Sequence, residues 1–330
     1  MSSSPYKRIA ITGASGFLGQ SLVQYLAQND YQIIALSRHC TNYFNVFPES
    51  ILVHDADIRN KQALKQYLKD CDAVIHLAAI YHIGYPNHHE MADINIMGTQ
   101  NVLEICQELA IKKLVYISTT AVHGESGANA QDENHTHNGT FRSYYEETKY
   151  IAHQLVLKAI NQGMPITIVS PGGIFGESDK GAIANLLKDY SKEKLPFMIQ
   201  STSQFTLTHV KDIVLGIELA LSNGIFGREY ILSQYPTTAW NLLNHAFSTF
   251  KKPLPKLIHP KRLKPIAIIL DHISKLTGKT LPLNSEILRI MDGSHYVYHS
   301  QRARNELNWQ PQPFEQRFQQ YLHYLNEKNH

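Results

Sequence analysis

Tyr145 and Lys149 stand four residues apart in this 330-residue chain, and they are the pair best suited to move a proton. A spacing of four puts both on one face of a helix. An ammonium beside a phenol favours phenolate and draws its pKa down from about 10 toward neutrality. The spacing therefore predicts a tyrosine that gives a proton to, or takes one from, a substrate oxygen. About 25 residues upstream lies the hydroxyl cluster Ser118-Thr119-Thr120, placed to hold the same oxygen. Most Y-x-x-x-K pairs are surface pairs on ordinary helices, so the weight rests on a second motif.

That motif is a glycine loop. Gly13, Gly16 and Gly19 stand at G-x-x-G-x-x-G, after the apolar run 9–11 and before the helical pattern Leu18, Leu22, Val23, Leu26. Strand, glycine turn and helix together hold a pyrophosphate. Glycine lets the backbone turn and approach the ligand, and the helix N-terminus offers free N–H groups to an anion. A second strand is expected over 31–36. An NAD-binding unit places Asp or Glu at its end for the ribose hydroxyls. Here Ser37 stands there and Arg38 follows. An arginine pairs with a 2′-phosphate that a carboxylate would repel, so the expected cofactor is NADP (NADPH) rather than NAD.

Further elements position these groups. A third strand is expected over 51–54, followed by Asp57, which either accepts from an adenine amino group or caps a helix beginning near Lys61. A fourth strand, 73–79, is almost wholly apolar, as in the middle of a parallel sheet. Its small residues Ala78 and Ala79 sit at the carboxyl end, where a flat cofactor needs room. A helix over 95–110 and a fifth strand over 113–118 continue the alternation. Alternating strands and helices predict right-handed βαβ units and a parallel sheet.

Bulk properties exclude several classes. Net charge is +3, with no basic block or aromatic-basic stripe, so nucleic acid is not the expected partner. Met1-Ser2-Ser3-Ser4-Pro5 lacks the apolar core of a signal peptide, and no apolar run reaches the ~20 residues of a membrane span. Cys40, Cys71 and Cys106 are odd in number and far apart, which reads as reduced cysteines of a cytoplasmic protein. His88-His89 and His135-Thr136-His137 lack the partners of a zinc site, so no metal is expected. The polar loop 123–142 reads either as an active-site flap or as plain surface. Lys261, Arg262 and Lys264 precede the apolar run 265–270, then Ile273 and Leu276. That stretch reads as a core helix, a lip over an apolar substrate, or a membrane-surface patch.

Taken together, the sequence resembles an extended short-chain dehydrogenase/reductase of the NAD(P)-dependent epimerase/dehydratase superfamily. The residues that carry the resemblance are Thr12-Gly13-Ala14-Ser15-Gly16-Phe17-Leu18-Gly19, Asp57-Ile58-Arg59, His76-Leu77-Ala78-Ala79, the stretch 95–101, the stretch 116–124, Tyr145 with Lys149, the stretch 170–176, and His209-Val210-Lys211-Asp212. The resemblance implies an α/β Rossmann fold, a doubly wound parallel sheet with a smaller, mixed C-terminal substrate lobe. Residues 1–171 form the NADP-binding core, with 203–235 returning to it. Residues 172–202 and 236–330 are mainly substrate lobe and closing helix.

By the same resemblance Tyr145 is the acid/base, Lys149 tunes it and binds the nicotinamide ribose, and Thr119 holds the substrate oxygen, with Ser118 and Thr120 as neighbours open to that role. Cofactor contacts are implied for Gly13, Ser15, Gly16, Phe17 and Leu18 in the glycine loop, and for Arg38, Asp57 and Ile58 at the adenosine end. They are implied also for Leu77, Ala78, Ala79 and Ser118 along the sheet edge, and for Pro171 and Ile174 beside the nicotinamide.

Departures from the family pattern narrow the subgroup. Dehydratases carry Asp-Glu after the catalytic threonine, where this chain has Thr120 and Ala121. Many sugar-nucleotide epimerases carry an arginine where Phe205 stands, and that loss removes a charge-assisted grip on a diphosphate. The pattern is closest to the branch of dihydroflavonol reductases and 3β-hydroxysteroid dehydrogenases. The expected activity is therefore an NADP(H)-dependent oxidoreductase acting on a ketone or secondary alcohol of a small apolar molecule. The alternatives are a nucleotide-sugar epimerase and a non-catalytic NADP sensor. A homodimer through helices near 95–110 and 145–160 is an expectation by analogy.

Overall fold

The computed structural model describes residues 5–328, the side chain of Phe44 excepted. Met1 to Ser4 of the N-terminal stretch lie outside the described residues.

Strands β1 (Arg8–Thr12), β2 (Gln32–Ser37), β3 (Leu52–Asp55), β4 (Ala73–His76), β5 (Lys113–Ile117) and β6 (Ile166–Pro171) join the strand Glu229–Leu232 in one seven-stranded sheet. All neighbours run parallel, with Glu229–Leu232 beside β6, then β5, β4, β1, β2 and β3 in order. The chain builds outward from β1 to β3, then crosses back to start the other half at β4. The order therefore reverses between β1 and β4, and a ligand crevice opens outside the carboxyl ends of strands at such a point. The fourth strand is shorter than its apolar run predicts. It stops at His76, and residues 77–80 leave the sheet to cross over the end of β1.

Alternation along each strand feeds two cores. Ile9, Ile11, Ile33 and Ala35 pack on one face against helices Phe17–Leu26 and Val210–Asn223. Ala10, Ile34 and Leu36 pack on the other against Lys61–Leu68, Thr99–Glu108 and Tyr144–Asn161. The first-face core also takes in Ala303, Leu307 and Trp309 from near the end of the chain.

A second body sits beyond the carboxyl edge. Strand Gln204–His209 is its centre, paired with Tyr235–Thr237, His295–Tyr296 and Gly173–Phe175. Thus residues 204–209 belong to the lobe sheet, whereas helix Val210–Asn223 and strand Glu229–Leu232 build the Rossmann core. The lobe's own core gathers Phe175, Leu187, Leu207, Leu243, Phe314 and Phe318. Phe205 packs against it, half-buried. A smaller cluster lies under helix Pro260–Thr277.

Candidate active site

The loop after β1 is built for close approach. Gly13 has φ +76°, and a Cβ there would lie 2.7 Å from Ala78 N. A Cβ on Gly19 would lie 2.2 Å from Gly13 O. The two crossing segments are pinned by Leu77 N–H donating to Thr12 O (3.2 Å) and Ala14 N–H donating to Leu36 O (3.1 Å). Gly16 caps helix Phe17–Leu26 with no side chain over its N-terminus and no acid in its first turn. The free N–H groups thus face the crevice without a competing carboxylate, and the cradle fits a dinucleotide pyrophosphate. Phe17 and Leu18 pack against the core, and Ser15 O accepts from Gln20 Nε2 at 2.6 Å.

Thr119, Tyr145 and Lys149 meet at the end of β5. Ser143 caps helix Tyr144–Asn161 by accepting from Glu146 N–H at 3.2 Å, which fixes Tyr145 in the first turn and Lys149 one turn on. The Tyr145 phenol is hydrogen-bonded to Thr119. Ser118 points elsewhere: its hydroxyl pairs with His153 Nδ1 at 2.9 Å. Thr120 is buried.

Lys149 departs from the spacing argument. Its ammonium donates to Ile117 O (3.0 Å) and Tyr116 OH (3.2 Å), with Nζ 4.8 Å from the Tyr116 ring centroid. Burial lowers its pKa to about 7. Burial raises the pKa of Tyr145 above its ordinary value, Tyr81 adds to the rise, and the bond to Thr119 opposes it. The depressed phenol that the spacing predicts is not found: burial sets the direction, Lys149 is not among the groups that shift it, and Tyr145 stands as a protonated phenol.

Groups beyond the motifs support the site. Tyr81 meets Tyr145 edge-on at 4.9 Å and forms an aromatic wall of the crevice. Asn95 ties Ile80 to Thr148 through both ends of its amide, so it holds the 77–80 crossing to the Tyr145 helix. Behind Ser118 lies a buried network. Glu229 accepts from His123 Nε2 at 2.9 Å and lies 3.7 Å from His153 Nε2. Burial raises the Glu229 carboxyl, but His123, His153 and Ser170 together outweigh it and leave the pKa lowered. His123 is correspondingly raised despite burial, while burial keeps His153 lowered and neutral. His153, four residues past Lys149, was visible as a same-face neighbour; Glu229 had no local signal.

At the adenosine end, Arg38 follows β2 and is 47% exposed, with Nη1 3.0 Å from Glu90 Oε1. Asp57 is forked by Arg59, with Nη2–Oδ2 2.6 Å and Nε–Oδ1 3.0 Å. That hydrogen bond holds its carboxyl below the usual range. Asp57 does not cap the following helix; Asn60 does, accepting from Ala63 N–H at 3.1 Å. Ile58 is buried and packs over Gly98. Pro171 ends β6, and Ile174 lies just beyond, against the core.

The 123–142 loop is tied down rather than flap-like. Ser126 N–H donates to His295 O, Gln131 N–H to Val297 O, and His137 Nε2 lies 3.2 Å from Glu146 Oε1. Among the described residues no cluster of His, Cys, Asp or Glu is arranged to hold a metal ion, and no helix is long and apolar enough to cross a membrane. The three cysteines are free and buried.

Comparison with known proteins agrees with this architecture. The family model described as "NAD dependent epimerase/dehydratase family" matches residues 9–232. An N-acetyl-alpha-D-glucosaminyl-diphospho-ditrans,octacis-undecaprenol 4-epimerase of Escherichia coli O157:H7 is 30% identical over 283 residues, covering 84% of this chain and 83% of that one. A 3beta-hydroxysteroid-dehydrogenase/decarboxylase isoform of Arabidopsis thaliana is 26% identical, covering 91% and 75%. The crystal structure of gox2253 superposes with TM-score 0.81 at 23% identity over 98% of each chain, a likeness of fold.

Proposed function

Because the chain belongs to the NAD-dependent epimerase/dehydratase family, and is thereby an NAD(P)-dependent enzyme of the extended short-chain dehydrogenase/reductase type, we propose that it is an NADP(H)-dependent oxidoreductase acting on a ketone or secondary alcohol of a small apolar molecule. When bound, the nicotinamide supplies or takes the hydride. Tyr145 transfers the proton at the substrate oxygen, and Thr119 holds that oxygen. Lys149, buried under the same helix turn, completes the ribose end of the site. The observation that carries the reading is the convergence of Thr119 and Tyr145 beside a glycine cradle, over Lys149.

The apolar substrate rests on Phe205, which packs against the lobe core where a diphosphate grip would need a cation, and on the aromatic wall of Tyr81. The similarity to a 3β-hydroxysteroid dehydrogenase supports it. The preference for NADP rests on Arg38, whose ion pair with Glu90 exchanges for the 2′-phosphate. Pairing of two copies through the helices near 95–110 and 145–160 belongs to the same reading; Met97 and Ile151 are the exposed apolar side chains it covers.

The test is a fluorescence titration with NADPH and NADH. NADPH binds more tightly, and Arg38→Asp removes the preference by about tenfold or more, the value of one charge-assisted phosphate contact. Equal affinity for the two cofactors, unchanged in Arg38→Asp, overturns the NADP assignment. A second reading, an epimerase acting on a lipid-linked sugar diphosphate, is favoured by the 30% identity to such an enzyme. NAD that stays bound through purification would favour it.

A further inference from the structure

We propose that helix Pro260–Thr277 seats this protein on an anionic phospholipid surface. The helix is held from beneath by Leu263, Ala267 and Ser274, the first two packed over Leu288, Ile199 and Ile258. Away from that contact it presents Ile266, Ile268, Ile269, Ile273 and Leu276, exposed by 49, 53, 60, 42 and 87%. No other helix among the described residues bares more than one large apolar side chain in this way. Five such groups on one face mark an interaction surface.

Charge selects the occupant. Lys261, Arg262 and Lys264 stand exposed at one end, Lys275 and Lys279 at the other, and none is in an ion pair among the described residues. The helix's one acid, Asp271, is turned aside to accept from Ser285 N–H at 3.2 Å. Three cations within the first five residues of a helix whose first turn holds no acid oppose the helix dipole. Folding alone does not favour that placement, whereas a negative surface does. Isoleucine and leucine between lysine and arginine, with no exposed acid, is the composition of a helix lying in the headgroup plane. Eighteen residues give a footprint about 27 Å long.

The surface adjoins the site. Lys275 and Gly278 share a cavity of about 340 Å³ with Tyr85, Pro86 and Glu90, in the segment that continues from Tyr81, the wall of Tyr145. The bilayer-facing helix thus ends beside the 85–90 segment, whose Glu90 pairs with Arg38. The inference stands on the helix face and is independent of the substrate assignment.

Vesicle flotation of the full chain tests it, with phosphatidylcholine alone and with phosphatidylcholine mixed with phosphatidylserine. The wild type floats with the mixed vesicles at least about tenfold more than with the neutral ones. Replacing Ile268, Ile269 and Leu276 together by Gln, or Lys261, Arg262 and Lys264 together by Gln, lowers that binding about tenfold. All six side chains are exposed, and an unchanged Tm and NADPH titration show that the fold is kept. Equal flotation with both vesicles, or variants that bind as the wild type does, overturns the proposal. So does a wild-type dimer that floats with neither vesicle and becomes monomeric in the apolar triple variant, since the face is then covered by a second copy.

Discussion

At the scale of single residues, the site separates two tasks that one motif had merged. Burial keeps Tyr145 protonated, and burial also brings Lys149 to about 7. A protonated phenol hydrogen-bonded to Thr119 is an acid in place for a substrate oxygen. Tyr145→Phe keeps the ring against Tyr81 and loses only the hydroxyl. It should reduce NADPH oxidation with any ketone the wild type accepts by about 10²–10⁴-fold and leave NADPH affinity unchanged. Turnover at the wild-type rate removes Tyr145 from the acid/base role. Lys149 has its own signature. Its folded pKa of about 7 lies below the ordinary 10.5 of the unfolded chain, so the folded state binds fewer protons between those values. Its contribution to stability is lost as pH falls through 7 and rises toward 10.5, by up to about 1.4 kcal/mol per pH unit. Subtracting the denaturant-unfolding curve of Lys149→Met from that of the wild type isolates this rise from the opposite trend of the buried thiols. A flat difference between pH 7 and 9 shows that Lys149 is not the desolvated cation it is taken to be.

Elements explain what could be read in advance. The first, second, fourth and fifth strands were legible because parallel strands buried on both faces are near-continuous apolar runs, whereas the third, at the sheet edge with Leu52 exposed, carries a weaker signal. Strand ends were less legible. The run through Ala79 continues past the ladder, which closes at His76 because Leu77 and Ala78 turn their N–H groups to Thr12 instead. Hydropathy registers burial, and the crossing segment stays half-buried. Tyr145 and Lys149 were legible because their relation is local to one helix. The lysine's true partner was not, since Tyr116 lies 33 positions away on β5. Nor was Glu229, which reaches His123 across 106 positions. Similarly, Asp57 looked like a cap because caps are local, while the cap fell to Asn60 at the position that precedes the first turn. Partners brought together by the sheet leave no periodicity in the chain.

For the whole molecule, the question is what makes a Rossmann core and a lobe of separate hydrophobic centres act as one body around the crevice. The described C-terminal residues supply the joint. Trp309 is fully buried in the core, and its Nε1–H donates to Asp212 O at 2.8 Å, on helix Val210–Asn223. The Asp212 carboxylate accepts from Gln312 N–H and from Arg317 Nε at 3.2 Å each. Arg317 belongs to helix Phe314–Glu327, whose Phe314, Phe318 and Tyr321 fill the lobe core. One short stretch thus bolts a core helix to a lobe helix, and Gly216 leaves the space in which the indole sits. Trp309→Ala removes the bolt and opens a cavity, and should lower the unfolding free energy by about 3–5 kcal/mol. The chain has two tryptophans, so in this variant Trp240 fluorescence reports the lobe alone, while NADPH binding reports the core. Both signals should be lost at one shared, lower denaturant midpoint. A lobe signal that keeps the wild-type midpoint while NADPH binding fails early would mean that the two bodies unfold independently, and that the crevice between them is set by the lobe sheet and the 77–80 crossing rather than by the tail.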